Sequence, residues 1–216
     1  NLLFSGGFER WTAGEPDGWE PLSGADAQRA QSKDGESYGL RLNSYDGDPS
    51  AFGSIPRYRL RDERHARVQS GQEYRVLADV YVNADAAGVS GRGVGSSLSV
   101  VHLYLDAYLE TSTTTYRVEG TRTGTMNRRG WHRTEAADLE WVEVGAGSRK
   151  HPIDFLPQVN VQAEYSVDLP PVPEEGDLYV EIYAAARTRR GSNYVVYDTV
   201  RLDLINAEGA RQESRR

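Results

Sequence analysis

The 216-residue sequence predicts an all-β protein, an antiparallel β-sandwich with long inserted loops, and three observations support this fold class. Apolar and polar residues alternate with a period of two in many segments, as they do on strands that bury one face. Gly, Pro, Asn and Asp, which favour turns, bound these segments. The 3.6-residue periodicity of amphipathic helices is hard to find. A chain of this length can build one large β domain without disulfides or metals.

The predicted strands, in chain order, are 1–4, 26–31, 38–43, 52–60, 73–82, 97–110, 131–143, 160–168, 178–187 and 194–205. Three stretches interrupt them, and each is predicted to be a long loop or an inserted hairpin: 83–96, 111–130 and 145–157. Loops of this length usually carry function or are mobile. The simplest organisation is one jelly-roll domain over residues 1–205, followed by a polar tail or linker at 206–216.

Charge and composition exclude some partners. Lys and Arg number 25 and Asp and Glu 32, and the resulting net charge of −7 disfavours nucleic acid or any other general polyanion as a partner. Cysteine is absent, so disulfides and thiolate metal sites are excluded. No apolar stretch approaches the roughly 20 residues that span a bilayer, so membrane insertion is not expected. The start at Asn1 rather than Met indicates a processed or excised segment, and flanking domains are possible.

The segment 117–133 departs from the net negative charge of the chain because it is rich in arginine. Five arginines there surround a single acid, Glu119, which indicates a solvated loop or a contact for a phosphate or an acidic glycan. They are Arg117, Arg122, Arg128, Arg129 and Arg133.

Side-chain parity separates a core face from an outer face in three predicted strands, because successive strand residues point to opposite faces. The outer set of 97–110 contains His102, Tyr104, Asp106, Tyr108 and Glu110. The outer set of 178–187 contains Tyr179, Glu181, Tyr183 and Arg187, and that of 74–82 contains Arg75, Leu77, Asp79 and Tyr81. All three strands therefore place Tyr beside carboxylates or Arg.

Such a face suits a sugar, because an aromatic ring packs on the apolar face of a pyranose while carboxylates and guanidinium groups bond its hydroxyls. The predicted ligand-binding residues are Tyr81, His102, Tyr104, Asp106, Tyr108, Tyr179, Glu181, Tyr183 and Arg187. The alternative is structural. Tyr is favoured in strands by its cross-strand pairing energy, and these side chains could also pack beneath the long loops.

Both ends of the chain carry short motifs. The first runs from Asn1-Leu2-Leu3-Phe4-Ser5-Gly6-Gly7-Phe8-Glu9 to Pro16-Asp17-Gly18-Trp19, and the second is Tyr194-Val195-Val196-Tyr197-Asp198-Thr199-Val200-Arg201-Leu202. They resemble the N-L-x-x-N-G-x-F-E to P-x-x-W phrase and the final apolar-x-D-D-V-x-L strand of jelly-roll carbohydrate-binding modules of the galactose-binding-like superfamily. Ser5 and Thr199 depart from these patterns. The resemblance implies a non-catalytic, extracellular or surface-exposed protein that binds a polysaccharide or glycan, with Trp11 and Trp19 in the core.

The same resemblance implies one structural calcium held by Glu9 and Asp198. Calcium takes about six to eight oxygen ligands, so backbone carbonyls near Phe8 and at 33–35 would have to complete the shell. By strand parity, Asp198 shares a face with apolar Val196 and Val200, where a buried charge would need a partner. The alternative is that both acids bond backbone amides at a sheet edge.

Two further function classes stay open. A jelly roll can also be a structural or assembly domain of a virion, phage tail or other appendage, with subunit contacts through loops 83–96 and 111–130. The candidate catalytic set is Asp106, Glu110 and Glu181 with His102 and Tyr104: paired carboxylates could serve a glycosidase, and a His-Tyr-Arg set could serve a polysaccharide lyase. The common hydrolase, zinc-protease and phosphate-binding motifs are missing from the sequence. Trp131 and Trp141 share parity and are either core residues or a sugar platform.

Overall fold

Every regular element in the described part of the chain is a β-strand, which confirms the all-β prediction. None of the described residues forms a helix long and apolar enough to cross a membrane. The computed structural model describes residues 1–3, 6–21, 27–32, 35, 37–43, 58–63, 65–83, 100–123, 126–127, 130–131, 135–145, 151–155, 160–187 and 194–206.

The strands follow one another along the chain, with two-residue strands interspersed among long ones. They are β1 (Trp11–Thr12), β2 (Glu15–Pro16), β3 (Trp19–Pro21), β4 (Ala27–Gln31), β5 (Tyr38–Asn43), β6 (Tyr58–Asp62), β7 (Ala66–Val68), β8 (Glu73–Asn83), β9 (Val100–Glu110), β10 (Thr115–Thr123), β11 (Met126–Asn127), β12 (Gly130–Trp131), β13 (Glu135–Glu143), β14 (His151–Pro152), β15 (Asp154–Phe155), β16 (Gln162–Asp168), β17 (Gly176–Arg187) and β18 (Tyr194–Asn206).

Two large antiparallel sheets form the sandwich. The five-stranded sheet has the order β16-β8-β18-β5-β4. The nine-stranded sheet has the order β13-β10-β9-β17-β6-β3, and β7, β14 and β15 pair with β17, β10 and β9 respectively. This architecture confirms the predicted β-sandwich.

The core lies between the sheets and follows the predicted parity. On β8 it takes alternate residues from Tyr74 to Val82, on β9 from Leu103 to Leu109, and on β17 from Leu178 to Ile182, all of them in one hydrophobic cluster. Alternation works here because a strand between a core and an outer environment buries every second side chain. The intervening side chains of β9 and β17 therefore point to the outer face of their sheet.

The N-terminal segment runs along the last strand. The Leu2 amide donates to the Leu202 carbonyl at 2.8 Å, and the Val200 amide donates to the Gly6 carbonyl at 2.7 Å. Residues 1–3 form no regular strand, in contrast to the predicted strand at 1–4. A side-chain oxygen takes the place of a backbone carbonyl in this pairing, because Asn1 Oδ1 accepts from the Leu202 amide at 3.1 Å.

The tryptophans pack mainly against the core. Trp19 is buried with its ring centroid 5.3 Å from that of Phe8. Trp11 and Trp141 are partly buried against the same cluster, and their indole nitrogens donate to the carbonyls of Phe8 and Pro170. The Trp131 side chain lies outside the described residues.

The prediction of a long loop or inserted hairpin at 111–130 is wrong for its central part. Strand β10 pairs with both β9 and β13 and so belongs to the main sheet. A turn at 111–114 connects it to β9, and Thr111 Oγ1 accepts from the Thr114 amide at 3.1 Å. Arg117 consequently lies half-buried on a strand rather than in a solvated loop. The side chains of Arg122, Arg128, Arg129 and Arg133 lie outside the described residues.

Other boundaries also differ. The described residues of the predicted strand at 131–143 belong to β12 and β13, and the register of β13 against β10 shifts where Asp138 adopts a φ of 51°. Residues 151–155, expected in a loop, form β14 and β15. The described part of the predicted strand 52–60 is β6. Residues 84–96 of the predicted loop 83–96, and 207–216 of the tail, lie outside the described residues.

Asp198 sits at a β-bulge. The register of β18 against β8 shifts between Tyr197 and Thr199, so that Asp198 has no partner position on β8. A bulge inserts one residue and reverses the parity beyond it. Val196 is consequently on the outer face while Val200 belongs to the core cluster, and the expectation that Asp198 shares a face with both is wrong.

Candidate functional site

Three alternate residue pairs of the β9–β17 ladder place like residues opposite each other. Tyr104 faces Tyr183, Asp106 faces Glu181, and Tyr108 faces Tyr179. All six belong to the parity opposite to the core, so they share the outer face of the nine-stranded sheet. We call these six residues the tyrosine–carboxylate strip.

The strip is closed to solvent in this structure. Its six residues are between 0% and 7% exposed, and Asp106 and Glu181 are at 0% and 1%. The sequence pattern predicts which face these side chains occupy, and the structure places them on that face. It also shows that the face is not an open groove in this conformation.

The rings of the strip stack on one another. The centroids of Tyr104 and Tyr183 lie 4.2 Å apart with 6° between the ring planes, and those of Tyr108 and Tyr179 lie 5.3 Å apart with 3° between the planes. His65, which precedes β7, stacks on Tyr179 at 4.4 Å. Because β9 and β7 pair with opposite sides of β17, Tyr179 is held between Tyr108 and His65. Both faces of its ring are therefore occupied.

Hydrogen bonds connect the strip internally and to the core. The Tyr183 hydroxyl donates to Asp106 Oδ2 at 3.1 Å. From the core side, the buried Tyr197 hydroxyl donates to the Tyr183 carbonyl at 3.0 Å. Burial raises the pKa of Tyr197 far above its usual value, so this phenol remains a neutral donor.

Arg117 supplies positive charge at one end of the strip. It lies opposite Tyr108 in the register and its Nη2 donates to Oε1 of buried Glu119. Burial alone would lower the pKa of Arg117, but hydrogen bonds with Glu119 and Tyr108 and the nearby Asp106 charge raise it on balance. The guanidinium therefore stays charged and offsets part of the buried negative charge.

Two further arginines neighbour the strip in the backbone register. Arg61 of β6 is the partner of Glu181, and Arg59 is the partner of Tyr183. Sequence reasoning missed Arg59, Arg61 and His65, because their pairing with β17 or contact with it could not be deduced from local pattern. It singled out Arg117 as a possible anion contact but did not place it beside Tyr108 on a strand.

The structure separates the remaining predicted ligand residues. His102 and Arg187 lie on β9 and β17, where their backbones continue the strip, but their side chains are outside the described residues. Tyr81 lies on β8 in the other sheet, opposite Gln162 and Val196. It therefore cannot share one surface with Tyr104 and Tyr183.

Glu9 and Asp198, the predicted calcium ligands, converge on one short segment. Glu9 Oε1 accepts from the Tyr38 amide at 3.4 Å, and Asp198 Oδ1 accepts from the Ser37 hydroxyl at 2.9 Å. The Phe8 carbonyl accepts from the Trp11 indole at 2.7 Å. Lys33 lies outside the described residues. Within the described part of the chain, no three His, Asp or Glu side chains form a group that could hold a metal.

No protein-family model matches the sequence, and neither does any curated protein sequence. Among solved structures, the chain is similar to a family 16 carbohydrate-binding module, with a TM-score of 0.50 and 12% identity over 94% of this chain and 99% of that one. It is also similar to the enzymatically active domain of bacteriophage CBA120 tailspike protein 4, with a TM-score of 0.48 and 9% identity over 95% of this chain and 21% of that one. TmCBM61 in complex with beta-1,4-galactotriose gives 0.47 and 11%, over 95% and 99%.

At these identities the similarity concerns the fold. It confirms the resemblance to jelly-roll carbohydrate-binding modules at that level.

Proposed function

We propose that this protein is a non-catalytic module that binds a polysaccharide or glycan through the tyrosine–carboxylate strip. The observation that carries the proposal is the register of β9 and β17, which brings four Tyr hydroxyls and two carboxylates onto one face. The fold shared with a family 16 carbohydrate-binding module is compatible with this function but does not decide it.

Recognition at this strip relies on hydrogen bonds more than on ring stacking. The faces of Tyr179 are occupied by Tyr108 and His65, and the Tyr104 and Tyr183 rings stack on each other. Ring edges, hydroxyls and carboxylates remain as the groups that meet a sugar. Carboxylates are strong acceptors for sugar hydroxyls, and their hydrogen bonds are about twice as strong as those between neutral groups.

Binding at the strip requires a conformational step. Side chains that are at most 7% exposed contact a ligand only after they become accessible. A binding step that includes such an opening associates more slowly than one at a preformed surface. In return, the ligand would bind in a site shielded from water, where polar interactions are stronger.

The same burial favours a second candidate, a structural or assembly jelly roll of a virion, phage tail or appendage. In that role the strip is a polar part of the interior, and its stacked rings and hydrogen bonds stabilise the sheet. The two functions differ in one measurable property, since only the glycan-binding module needs the strip to open.

A catalytic role is the third candidate. Asp106 and Glu181 face each other directly, and paired carboxylates cleave glycosidic bonds when a substrate lies between them. Here Asp106 accepts the Tyr183 hydroxyl and both acids lie beneath the surface, so hydrolysis, like binding, would require the strip to open. Release of reducing ends from a polysaccharide would identify an enzyme.

The proposal includes a structural calcium at Glu9 and Asp198. Its support is that both carboxylates, the kind of oxygen ligand a hard cation takes, are anchored on the neighbouring residues Ser37 and Tyr38. Backbone carbonyls would supply the remaining oxygens. Calcium bound there would add charge-neutralising links between the N-terminal segment and β18. An extracellular or surface location accords with millimolar calcium.

The test is a glycan-array screen followed by affinity electrophoresis in gels containing soluble neutral and acidic polysaccharides. We expect retardation in at least one polysaccharide and unchanged mobility in gels without it. A protein that migrates identically in all gels and binds no arrayed glycan would overturn the proposal and favour the assembly role.

A further inference from the structure

Strand β16 forms one edge of the five-stranded sheet and, within the described part of the chain, pairs with β8 alone. An edge strand presents a row of backbone amides and carbonyls to which a further strand can bind. The seven residues Gln162–Asp168 pair with β8 without a register shift. The edge is therefore regular and long enough to act as a template for another strand.

The backbone groups on the outward side of β16 follow from the alternation of hydrogen bonds in an antiparallel pair. The Leu169 amide donates to the Tyr74 carbonyl at 2.8 Å, so Leu169 and every second residue before it bond to β8. The residues between them direct their amides and carbonyls away from the sheet. They are Gln162, Glu164, Ser166 and Asp168.

The other edges of the two large sheets carry features that oppose the addition of a strand. Strand β13 shifts register where Asp138 adopts a φ of 51°. Strand β3 has three residues and ends at Pro21, which has no amide hydrogen. Strand β4 is contacted by β2. Among the described strands, β16 is therefore the edge best suited to bind another strand.

A second copy of β16 fits this edge in the antiparallel register that places Tyr165 opposite its own copy. Glu164 then lies opposite Ser166 of the second copy. Gln162 lies opposite Asp168 of the second copy, so each acid faces a neutral side chain that can donate a hydrogen bond. A shift of two residues in either direction would place Glu164 opposite a carboxylate, either its own copy or Asp168. A shift of one residue would align outward backbone groups with groups that already bond to β8.

Arginines of the neighbouring strands lie beside both acids. Asp168 accepts from Arg75, whose Nη2 lies 2.8 Å from Oδ2, and Arg201 Nη2 lies 3.9 Å from Glu164 Oε2. These positive charges reduce the repulsion that the acids of two approaching strands would otherwise exert on each other.

The core-facing side of the edge is apolar and partly uncovered. Tyr165 and Val167 pack against the core cluster but are only partly buried, and Val161, just before the strand, is 44% exposed. In the same register Val161 lies opposite Leu169 of the second copy, and Ala163 lies opposite Val167. The two Tyr165 residues form a non-hydrogen-bonded pair, in which side chains approach most closely. Cross-strand apolar and aromatic pairs of this kind stabilise a sheet.

We infer that β16 is a self-association edge whose partner is β16 of a second copy of this chain, related to the first by a two-fold axis at Tyr165. The five-stranded sheets of the two copies then form one continuous sheet. Such a contact closes on itself, because the same strand is used by both copies. The inference goes beyond the proposed function, because the tyrosine–carboxylate strip lies on the other sheet and takes no part in the contact.

The dimer should depend on concentration and on salt. One strand pair is a small interface compared with the roughly 1,200 to 2,000 Å² of stable complexes. Each copy carries a net charge of −7, so the two copies repel each other. Salt screens this repulsion, and the dimer should therefore become tighter as the ionic strength rises.

Three substitutions of Ser166, an exposed residue whose amide points away from β8, test the edge. Ser166→Pro removes that amide, a change that an edge strand tolerates. Ser166→Glu places like charges opposite Glu164 of the second copy, whereas Ser166→Lys places opposite charges there. Because of the two-fold axis, each change acts twice. Ser112→Glu and Ser112→Lys are the matched controls, since they alter the net charge equally at an exposed turn of the other sheet.

Sedimentation equilibrium of the full chain, from micromolar to millimolar concentration, gives the Kd of the dimer, and circular dichroism melting establishes that each variant is folded. We expect the unmodified protein to dimerise and Ser166→Pro to be monomeric. Relative to the Ser112 controls, Ser166→Glu should raise Kd and Ser166→Lys should lower it, each by about threefold or more.

The inference is overturned if the unmodified protein is monomeric at every concentration, or if folded Ser166→Pro dimerises with the same Kd. It is also overturned if Ser166→Glu and Ser166→Lys shift Kd in the same direction relative to their controls. These two variants decide the matter even if the proline variant does not fold. None of these results bears on the strip, because glycan binding is measured separately.

Discussion

The Tyr183 hydroxyl donates a hydrogen bond to Asp106 Oδ2 at 3.1 Å across the β9–β17 pair, and both side chains are almost completely buried. The bond runs diagonally between rungs, because Tyr183 is the register partner of Tyr104. It therefore links the aromatic rung to the carboxylate rung. In a site of low dielectric such a bond is stronger than in water, and here it stabilises a carboxylate that water does not reach.

Removal of this hydroxyl should destabilise the protein. Tyr183→Phe keeps the ring stack with Tyr104 and deletes only the donor to Asp106. Loss of a partner from a buried polar group costs about 1 to 3 kcal/mol. We expect a decrease of that size in the free energy of unfolding, measured by urea denaturation with an unchanged m-value.

The matched control is Tyr194→Phe, because Tyr194 is partly exposed and its ring can retain the contact with Arg41. Equal stability of Tyr183→Phe and the unmodified protein would contradict the buried bond. Tyr183→Ala should cost about 3 to 5 kcal/mol as a large-to-small change in a packed site. Alanine at this position is consequently unsuitable as a test of ligand binding.

Much of the strip was predictable from sequence, because alternation on β9 and β17 assigns each side chain to a face. Parity does not reveal what covers a face, so the sequence alone left open whether these side chains face a ligand or pack beneath other parts of the chain, and the structure shows them buried. Parity also describes one strand at a time. Tyr81 shows the same outward pattern as Tyr104 but lies in the other sheet, since sheet membership depends on long-range pairing.

Two other differences have local causes. The bulge at Asp198 inverts the parity of β18, and a simple period-two pattern cannot anticipate an inserted residue. Strand β10 was not predicted from the sequence, because its Thr and Arg content is typical of a loop. Its pairing with β9 and β13, together with burial of Val118, outweighs that composition.

A side chain at Gly39 should be poorly tolerated. A Cβ at this position would lie 2.6 Å from the Tyr197 carbonyl oxygen and 2.8 Å from Val196 Cγ1, where β5 approaches β18. Overpacking of this kind costs about 1 to 3 kcal/mol. We expect Gly39→Ala to lower the urea midpoint accordingly. Gly7→Ala is the matched control, because its Cβ would meet nothing closer than Glu9 Cγ at 3.9 Å. Equal midpoints for the two variants would contradict the close approach.

The ion pair of Arg75 and Asp168 should contribute a pH-dependent term. The hydrogen bond from Arg75 lowers the pKa of Asp168, partly opposed by slight burial. A carboxyl whose folded pKa is depressed stabilises the fold above its unfolded pKa of about 3.9, and this contribution is lost as pH falls through the folded pKa. The Asp168 carboxyl resonance, followed by NMR titration, should shift its midpoint upward in Arg75→Gln. An unchanged midpoint would show that the pair does not form in solution. The effect on stability should be small, because both side chains are substantially exposed.

Calcium should raise the melting temperature if Glu9 and Asp198 hold it. A ligand that binds only the folded state stabilises it by mass action, about 2.7 kcal/mol at a hundredfold excess over Kd. We expect melting in millimolar calcium to exceed melting in chelator, and expect Asp198→Asn to abolish the difference. Glu15→Gln, an exposed acid on β2, is the control and should keep the calcium response. Identical melting of the unmodified protein in both solutions would exclude the metal.

Glu181→Gln should separate glycan binding from stability at the strip. The amide preserves the size of the side chain opposite Asp106 but replaces a charged acceptor by a neutral group. A hydrogen bond to a charged group is worth about 1.5 to 3 kcal/mol, and each 1.4 kcal/mol corresponds to about tenfold in Kd. In affinity electrophoresis we therefore expect at least a tenfold weaker interaction for the strip, with Glu175→Gln, an exposed partner of Arg67, as the unaffected control.

An assembly domain makes the opposite prediction. Glu181→Gln would leave the mobility of the protein in polysaccharide gels unchanged and would instead alter the oligomer distribution in size-exclusion chromatography. Because both outcomes come from the same folded variant, the buried carboxylate itself distinguishes a sugar ligand from a structural role.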